Sequence, residues 1–256
     1  MLKKLKSVLK THKGSLLALA CKAAIFSGLL YFSDNYWLAM AGFLAAALYF
    51  YFQSLLNIRQ FLASFLVLLV ISLIVMSKLP IADYQLPIAG FFGFLFFLLL
   101  GIKNLIFINR QPLYHFLSGL LLLTIFICFF VIGNKASSLI FIFKYLAAFS
   151  AVFLLLKEFL TVSGQQLAVS SHLGSQKINL FSAGLSFILI QSLWAINFLP
   201  LGFLNSASLI LLIALILQDF VIHYFSGTIS RQLILKNITV FLILSLIIFG
   251  AADWSP

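Results

Sequence analysis

Nine runs of near-continuous apolar residues, each long enough to cross a bilayer, fill this chain and leave only short polar links between them. Lipid offers no partner for a backbone N–H or C=O, so each run must close its hydrogen bonds within itself, as a helix does. The expected fold is all-α, a polytopic integral membrane bundle of about nine transmembrane helices. The runs are Ser15–Phe32, Tyr36–Phe52, Phe61–Met76, Ile88–Ile108, Leu113–Ile132, Ser138–Leu160, Leu180–Leu199, Ala207–Phe225 and Leu233–Ala251. Pro80, Pro87, Pro112 and Pro200 fall in links or at run ends, where a helix stops without losing an internal hydrogen bond. The third run is short, and Lys236 and Asn237 intrude near the start of the ninth.

The chain is 64% hydrophobic and 8% charged, with a mean hydropathy of +1.19. That leaves too little polar surface to cover a water-soluble core. Residues 15–256 therefore read as a single transmembrane domain. Thirty residues are Phe, and their ordinary use is lipid-facing filler.

Residues 1–14 read as a basic amphipathic interfacial tail, with Lys3, Lys4, Lys6, Lys10 and Lys13 beside Leu2, Leu5, Val8 and Leu9 at helical spacing. Such a segment lies on anionic headgroups, each Lys near the surface adding roughly 1 kcal/mol. Membrane contact accounts for the net charge of +11, and no nucleic-acid partner is expected.

Lys and Arg placement sets an orientation. With the N-terminus cytoplasmic, that face holds the five tail lysines, Arg59, Lys103, Arg110, Lys157, Lys177, Arg231 and Lys236. The opposite face holds only Lys78 and Lys135. An odd number of spans follows, with the C-terminus on the opposite side. Each of the three Arg precedes Gln (Arg59-Gln60, Arg110-Gln111, Arg231-Gln232), as expected either of a duplicated hairpin or of interfacial turns drawn from few residue types.

Cys21 and Cys128 fall inside apolar runs, and no His or Cys pair has ligand spacing, so neither a metal nor a cofactor is expected. The helix number is similar to that of UbiA-type intramembrane prenyltransferases. Their paired aspartate motifs are missing from the matching turns, Asn57-Ile58-Arg59-Gln60 and Gly164-Gln165-Gln166. That family is not assigned. His-Glu-x-x-His and Gly-x-Ser-x-Gly are also missing.

Ionisable residues inside the runs are the functional pointers, because a charge in hydrocarbon needs a partner or water. Asp219 lies about seven residues from the cytoplasmic end of the eighth run, roughly 10 Å deep at about 1.5 Å per residue. His223 follows on the same face at i+4. Lys22, Lys103 and Asn104 reach similar depth, which marks Lys22, Lys103, Asn104, Asp219 and His223 as a ligand-binding set, with His115 and Glu158 at its mouth. An alternative is a structural ion pair between Asp219 and Lys103 or Lys22. Lys144 enters from the other side and is expected to snorkel outward.

On the seventh run Gln191, Trp194 and Asn197 recur at three-residue spacing and form a polar helix face, with interhelical hydrogen bonding its commoner use. The link Thr161–Lys177 is the longest polar stretch. Tyr31, Tyr36, Trp37 and Trp254 at outer ends, and Tyr49, Tyr51, Tyr114 and Tyr224 at inner ends, read as interfacial anchors.

Three functions fit. The first is a small carrier, permease or permease subunit for an anionic or proton-coupled ligand, since imidazole changes charge near neutral pH. The second is a lipid- or polyprenyl-modifying enzyme with His223 as general base oriented by Asp219. The third is a non-catalytic scaffold or assembly subunit. The expected partners are the bilayer, a small-molecule or lipid ligand, and other membrane subunits.

Overall fold

A computed structural model describes residues 2–33, 37–53, 61–78, 82–104, 110–132, 138–166 and 175–251. Among them are nine helices and no strand: α1 Leu2–Phe32, α2 Trp37–Phe52, α3 Leu62–Lys78, α4 Ala82–Lys103, α5 Arg110–Val131, α6 Ser138–Gln166, α7 Ser175–Ile196, α8 Phe203–Phe225 and α9 Arg231–Gly250. Seven are long and apolar enough to cross a membrane, as a multi-pass membrane protein requires. The shorter apolar helices are Trp37–Phe52 and Leu62–Ser77. At about 1.5 Å per residue the 16 residues of α2 run only about 24 Å, short of a hydrocarbon core of about 30 Å.

Several boundaries move from those expected. The basic tail and the first run form one unbroken helix of 31 residues; the tail's lysine side chains lie outside the described ones. Pro87 sits inside α4, since the helix already winds from Ala82; the donor it lacks would have served the carbonyl of Asp83 in the opening turn. Pro112 falls in the first turn of α5, where an N–H has no intrahelical acceptor to lose. Helices α6 and α7 take up most of the polar link, and its residues 167–174 lie outside the description, as do Tyr36, Arg59-Gln60, Lys135 and Trp254.

The chain divides into two units, Met1–Leu117 and Ser118–Pro256, with the division falling within α5. In the first unit α1 packs along α4 and against α2, while α3 packs on α4 and α1. The α1–α4 crossing is close because small residues line it. Ala23 and Ser27 on α1 meet Gly93 on α4, and a Cβ on Gly93 would fall on Ser27 Oγ and lie 3.2 Å from the Ala23 carbonyl oxygen. Backbones approach this way where lipid gives no hydrophobic drive for helix association.

Beside that crossing stands a column of buried rings. Phe43 on α2 meets Phe26 on α1 at 4.9 Å, Phe26 stacks on Phe96 of α4 at 4.2 Å, Phe96 lies 6.4 Å from Phe65 of α3, and Phe65 stacks on Tyr51 at 4.1 Å. Filler describes exposed Phe residues such as Phe91, Phe94 and Phe116, but these five aromatic residues form the unit's core. Aromatic pairs of this kind add about 0.5–1.5 kcal/mol each beyond area burial.

In the second unit α6 packs on α7, and α8 packs against α6, α7 and α9. Val152, Leu155 and Phe159 of α6, Leu189 and Leu193 of α7, and Ile210 and Ala214 of α8 are buried. Helix α9 is the exception, burying only Asn237 and Ser245.

Candidate functional site

In the second unit one group of polar residues gathers at the α8–α9 hairpin. Helix α8 ends at Ser226, and Gly227 takes φ +66°, a left-handed conformation that glycine adopts without a Cβ penalty. The reversal lets the Gly227 N–H reach the Tyr224 carbonyl at 3.2 Å and the Thr228 N–H reach the His223 carbonyl at 3.0 Å. Ser230 then starts α9, its hydroxyl accepting from the Leu233 N–H at 3.2 Å. Phe181 of α7 packs on Tyr224 and Phe225, with centroids 5.6 and 4.9 Å apart.

This turn folds Thr228 back over the end of α8. His223 Nδ1 and Thr228 Oγ1 are 2.8 Å apart, and Thr228 Oγ1 lies 2.6 Å from Ser226 Oγ. The other imidazole nitrogen, Nε2, faces Asp219 Oδ1 at 3.6 Å. The second carboxylate oxygen accepts from Asn237 Nδ2 of α9 at 2.8 Å. A connected line of groups thus runs from an exposed turn hydroxyl, through imidazole and carboxylate, to a buried amide. The side chains of His223 and Asp219 are 34% and 41% exposed, so the pair is reachable from outside the helix packing. Next to it Gln218 is buried, and its amide nitrogen finds no acceptor among the described residues.

In the first unit Lys22 and Lys103 both reach the carboxyl end of α2. Lys22 Nζ donates to Gln53 Oε1 at 2.6 Å and lies 5.9 Å from the Phe50 ring. Lys103, only 3% exposed, donates to the Tyr51 carbonyl oxygen with its ammonium 3.5 Å from the Tyr51 ring centroid. The Lys103 ammonium satisfies a carbonyl that α2 leaves open, and both cations lie at the negative dipole end of that helix. Asn104 follows the end of α4, its N–H on the Leu100 carbonyl at 2.9 Å. Lys144 does the same for α5 in the second unit, donating to the Ile132 carbonyl at 2.8 Å and lying 4.1 Å from the Phe129 ring. The carbonyl it reaches lies just past the carboxyl end of α5, so the Lys144 side chain extends toward the amino end of its own helix, the direction expected of a snorkelling lysine.

Lys22, Lys103 and Asn104 belong to the first unit and Asp219 and His223 to the second, so the five are described as two groups. Asp219 draws its partners from its own hairpin. His115 on α5 and Glu158 on α6 are half-buried.

The polar face of α7 turns outward, with Gln191 exposed and Trp194 54% exposed against Phe198, while Asn197 is half-buried. The serines of α7 bond back along their own helix rather than across to a neighbour. Ser182 reaches the Ile178 carbonyl at 2.8 Å, Ser186 the Ser182 carbonyl at 2.7 Å and Ser192 the Ile188 carbonyl at 2.9 Å. Tyr51 and Tyr114 are core residues, not interfacial anchors, because helix facing buries both rings; Trp37, Tyr49 and Tyr224 are exposed as anchors would be.

Sequence reasoning missed Thr228 and Ser226, and saw Asn237 only as an interruption of the ninth run. Asn237 carried a usable signal, an amide in an apolar helix next in the chain to one bearing a carboxylate. Among the described residues no group of three or more His, Cys, Asp or Glu could hold a metal ion. The chain matches no protein-family model, and comparison with curated proteins and with solved structures finds no similar protein.

Proposed function

We propose that this multi-pass membrane protein is a small carrier, permease or permease subunit whose protonatable element is the Asp219–His223 pair. The observation that carries the reading is a carboxylate and an imidazole 3.6 Å apart inside an apolar helix, both partly exposed. Within its own unit and among the described residues, no Lys or Arg forms an ion pair with Asp219. A structural strut would neutralise such a carboxylate with a fixed cation, whereas a coupling site leaves it free to gain and lose a proton.

The topology that goes with this proposal has nine spans, the N-terminus cytoplasmic and the α8–α9 turn on that same side. Within the first unit Lys22, Lys103 and Asn104 are proposed as the anion-attracting group, and His115 and Glu158 as residues toward the cytoplasmic mouth of their respective units. The partners in this reading are anionic lipid headgroups, an anionic or proton-coupled small molecule, and other membrane subunits. The second reading, a lipid-modifying enzyme, draws on the 2.8 Å bond between His223 and the Thr228 hydroxyl, the arrangement a general base needs.

The test uses purified protein in vesicles under an imposed pH gradient, with radiolabelled inorganic phosphate, acetate and succinate as probes. Gradient-driven uptake that Asp219→Asn abolishes, in a variant that stays monodisperse, is the expected result. Uptake unchanged in that variant overturns the carrier reading. Release of acyl chains from the vesicle lipid, lost with His223→Gln, favours the enzyme instead.

A further inference from the structure

We infer that Thr228 is the proton entry point to Asp219, with His223 as the intermediate. The inference rests on the proposed role of Asp219 and deepens it by assigning the path.

The argument starts from what each atom can do. With the ring proton on Nε2, His223 Nδ1 accepts from the Thr228 hydroxyl across 2.8 Å, and Nε2–H points toward Asp219 Oδ1 at 3.6 Å. One transfer then balances as follows. A hydronium ion at the exposed turn gives its proton to Thr228 Oγ1 and leaves as water. The proton formerly on Oγ1 moves to Nδ1. The proton on Nε2 crosses to Asp219 Oδ1. The products are a neutral carboxylic acid and a neutral imidazole carrying its proton on Nδ1. Loss of the proton runs the same steps backward and restores the starting tautomer. The 3.6 Å gap exceeds the roughly 3.2 Å reach of direct transfer, so the crossing occurs as the two side chains swing together.

The surroundings favour this route. The charged residues on helices packed against α8 are Lys144, Lys157 and Glu158 on α6, Lys177 on α7, and Arg231 and Lys236 on α9. Among the described residues of this unit, none of them forms an ion pair with Asp219 or His223. Asn237 holds the oxygen of Asp219 that does not face the imidazole, by donating to Oδ2 at 2.8 Å. That bond leaves Oδ1 as the proton acceptor. Ser226 Oγ lies 2.6 Å from Thr228 Oγ1 and 3.1 Å from the His223 carbonyl oxygen. With the Thr228 proton on the imidazole side, the single Ser226 proton is shared between those two acceptors. Ser226 makes no hydrogen bond to the imidazole ring, so it stands beside the path rather than on it.

The experiment is a rapid pH drop on the full chain in vesicles, following the infrared band of a protonated carboxyl group, with probe uptake measured on the same preparation. Asp219→Asn should remove the band, which assigns it. Thr228→Val should slow its rise about a hundredfold, the lower end of what a positioned proton-transfer group contributes, without reducing its final amplitude. Thr228→Ala and His223→Gln serve as second routes to the same result if the valine variant misfolds. Ser226→Ala, which alters the turn but spares the path, should rise at the wild-type rate. A wild-type rate in Thr228→Val or Thr228→Ala overturns the inference, as does equal slowing in Ser226→Ala. A band that survives Asp219→Asn overturns it too, because the acceptor is then a different group. Failure of the carrier reading is separate, since it appears as probe uptake indifferent to Asp219→Asn whatever the band does.

Discussion

The ammonium of Lys103 lies 3.5 Å from the centroid of the Tyr51 ring and donates to the carbonyl oxygen of that same residue. One side chain of α4 thereby closes the end of α2 and covers the last ring of the aromatic column. A desolvated cation over a ring is worth about 2 kcal/mol, against roughly half that at an exposed site.

From this contact we expect Tyr51→Leu and Lys103→Met to be strongly non-additive. A double-mutant cycle, read by reversible unfolding in detergent, should give a coupling of about 1–2 kcal/mol. Additive losses would mean that the ring and the ammonium act independently.

At the α1–α4 crossing, Gly93→Ala should destabilise the first unit by about 1–3 kcal/mol, the usual cost of overfilling a tight contact. The nearest obstacle is the Ser27 hydroxyl, so adding Ser27→Ala should recover part of the loss in the same thermal melt. No recovery would place the obstruction at the atoms that Ser27→Ala retains, the Ser27 Cβ at 3.1 Å and the Ala23 carbonyl oxygen at 3.2 Å from the new Cβ.

Gly227 differs from Gly93, because a Cβ added there meets nothing within 4 Å while the backbone sits at φ +66°. Gly227→Ala should therefore cost about 1–2 kcal/mol through backbone conformation alone. Gly227→Asn should cost less, since Asn tolerates that region. Equal losses for the two, measured by unfolding, would contradict a purely conformational origin.

The proposed topology separates the two ends of α8. In a chain with Cys21 and Cys128 replaced by Ser, Gly202→Cys should react with an impermeant thiol reagent added outside cells. Arg231→Cys should react only after permeabilisation. Both positions are exposed in the fold. Labelling of both from one side would remove α8 from the set of spanning helices.

Helix existence was legible because hydrocarbon leaves a backbone few alternatives, and all nine apolar runs correspond to helices. Facing was not. Tyr51 and Tyr49 are two residues apart in one run, yet the first is 0% exposed and the second 62%; only the neighbours of α2 decide which turns inward. The i,i+4 relation of Asp219 and His223 could be read from spacing alone. Thr228 could not, because its approach to the imidazole depends on a left-handed glycine beyond the helix end. Lys103 was recognised by depth, but its partner is a main-chain carbonyl on another helix, and carbonyls leave no trace in residue type.

Helix α9 shows what a sparse interface implies in an oily solvent. Leu235, Leu242, Leu246 and Ile247 are exposed, and such side chains gain nothing by exchanging lipid for protein. Hydrophobicity therefore keeps α9 in the bilayer without telling it where to sit. Its docking position depends on few directional contacts, with the amide of Asn237 on Asp219 foremost among them. Under the proposed proton uptake at the other oxygen of Asp219, the same event would also alter the bond that seats an entire helix.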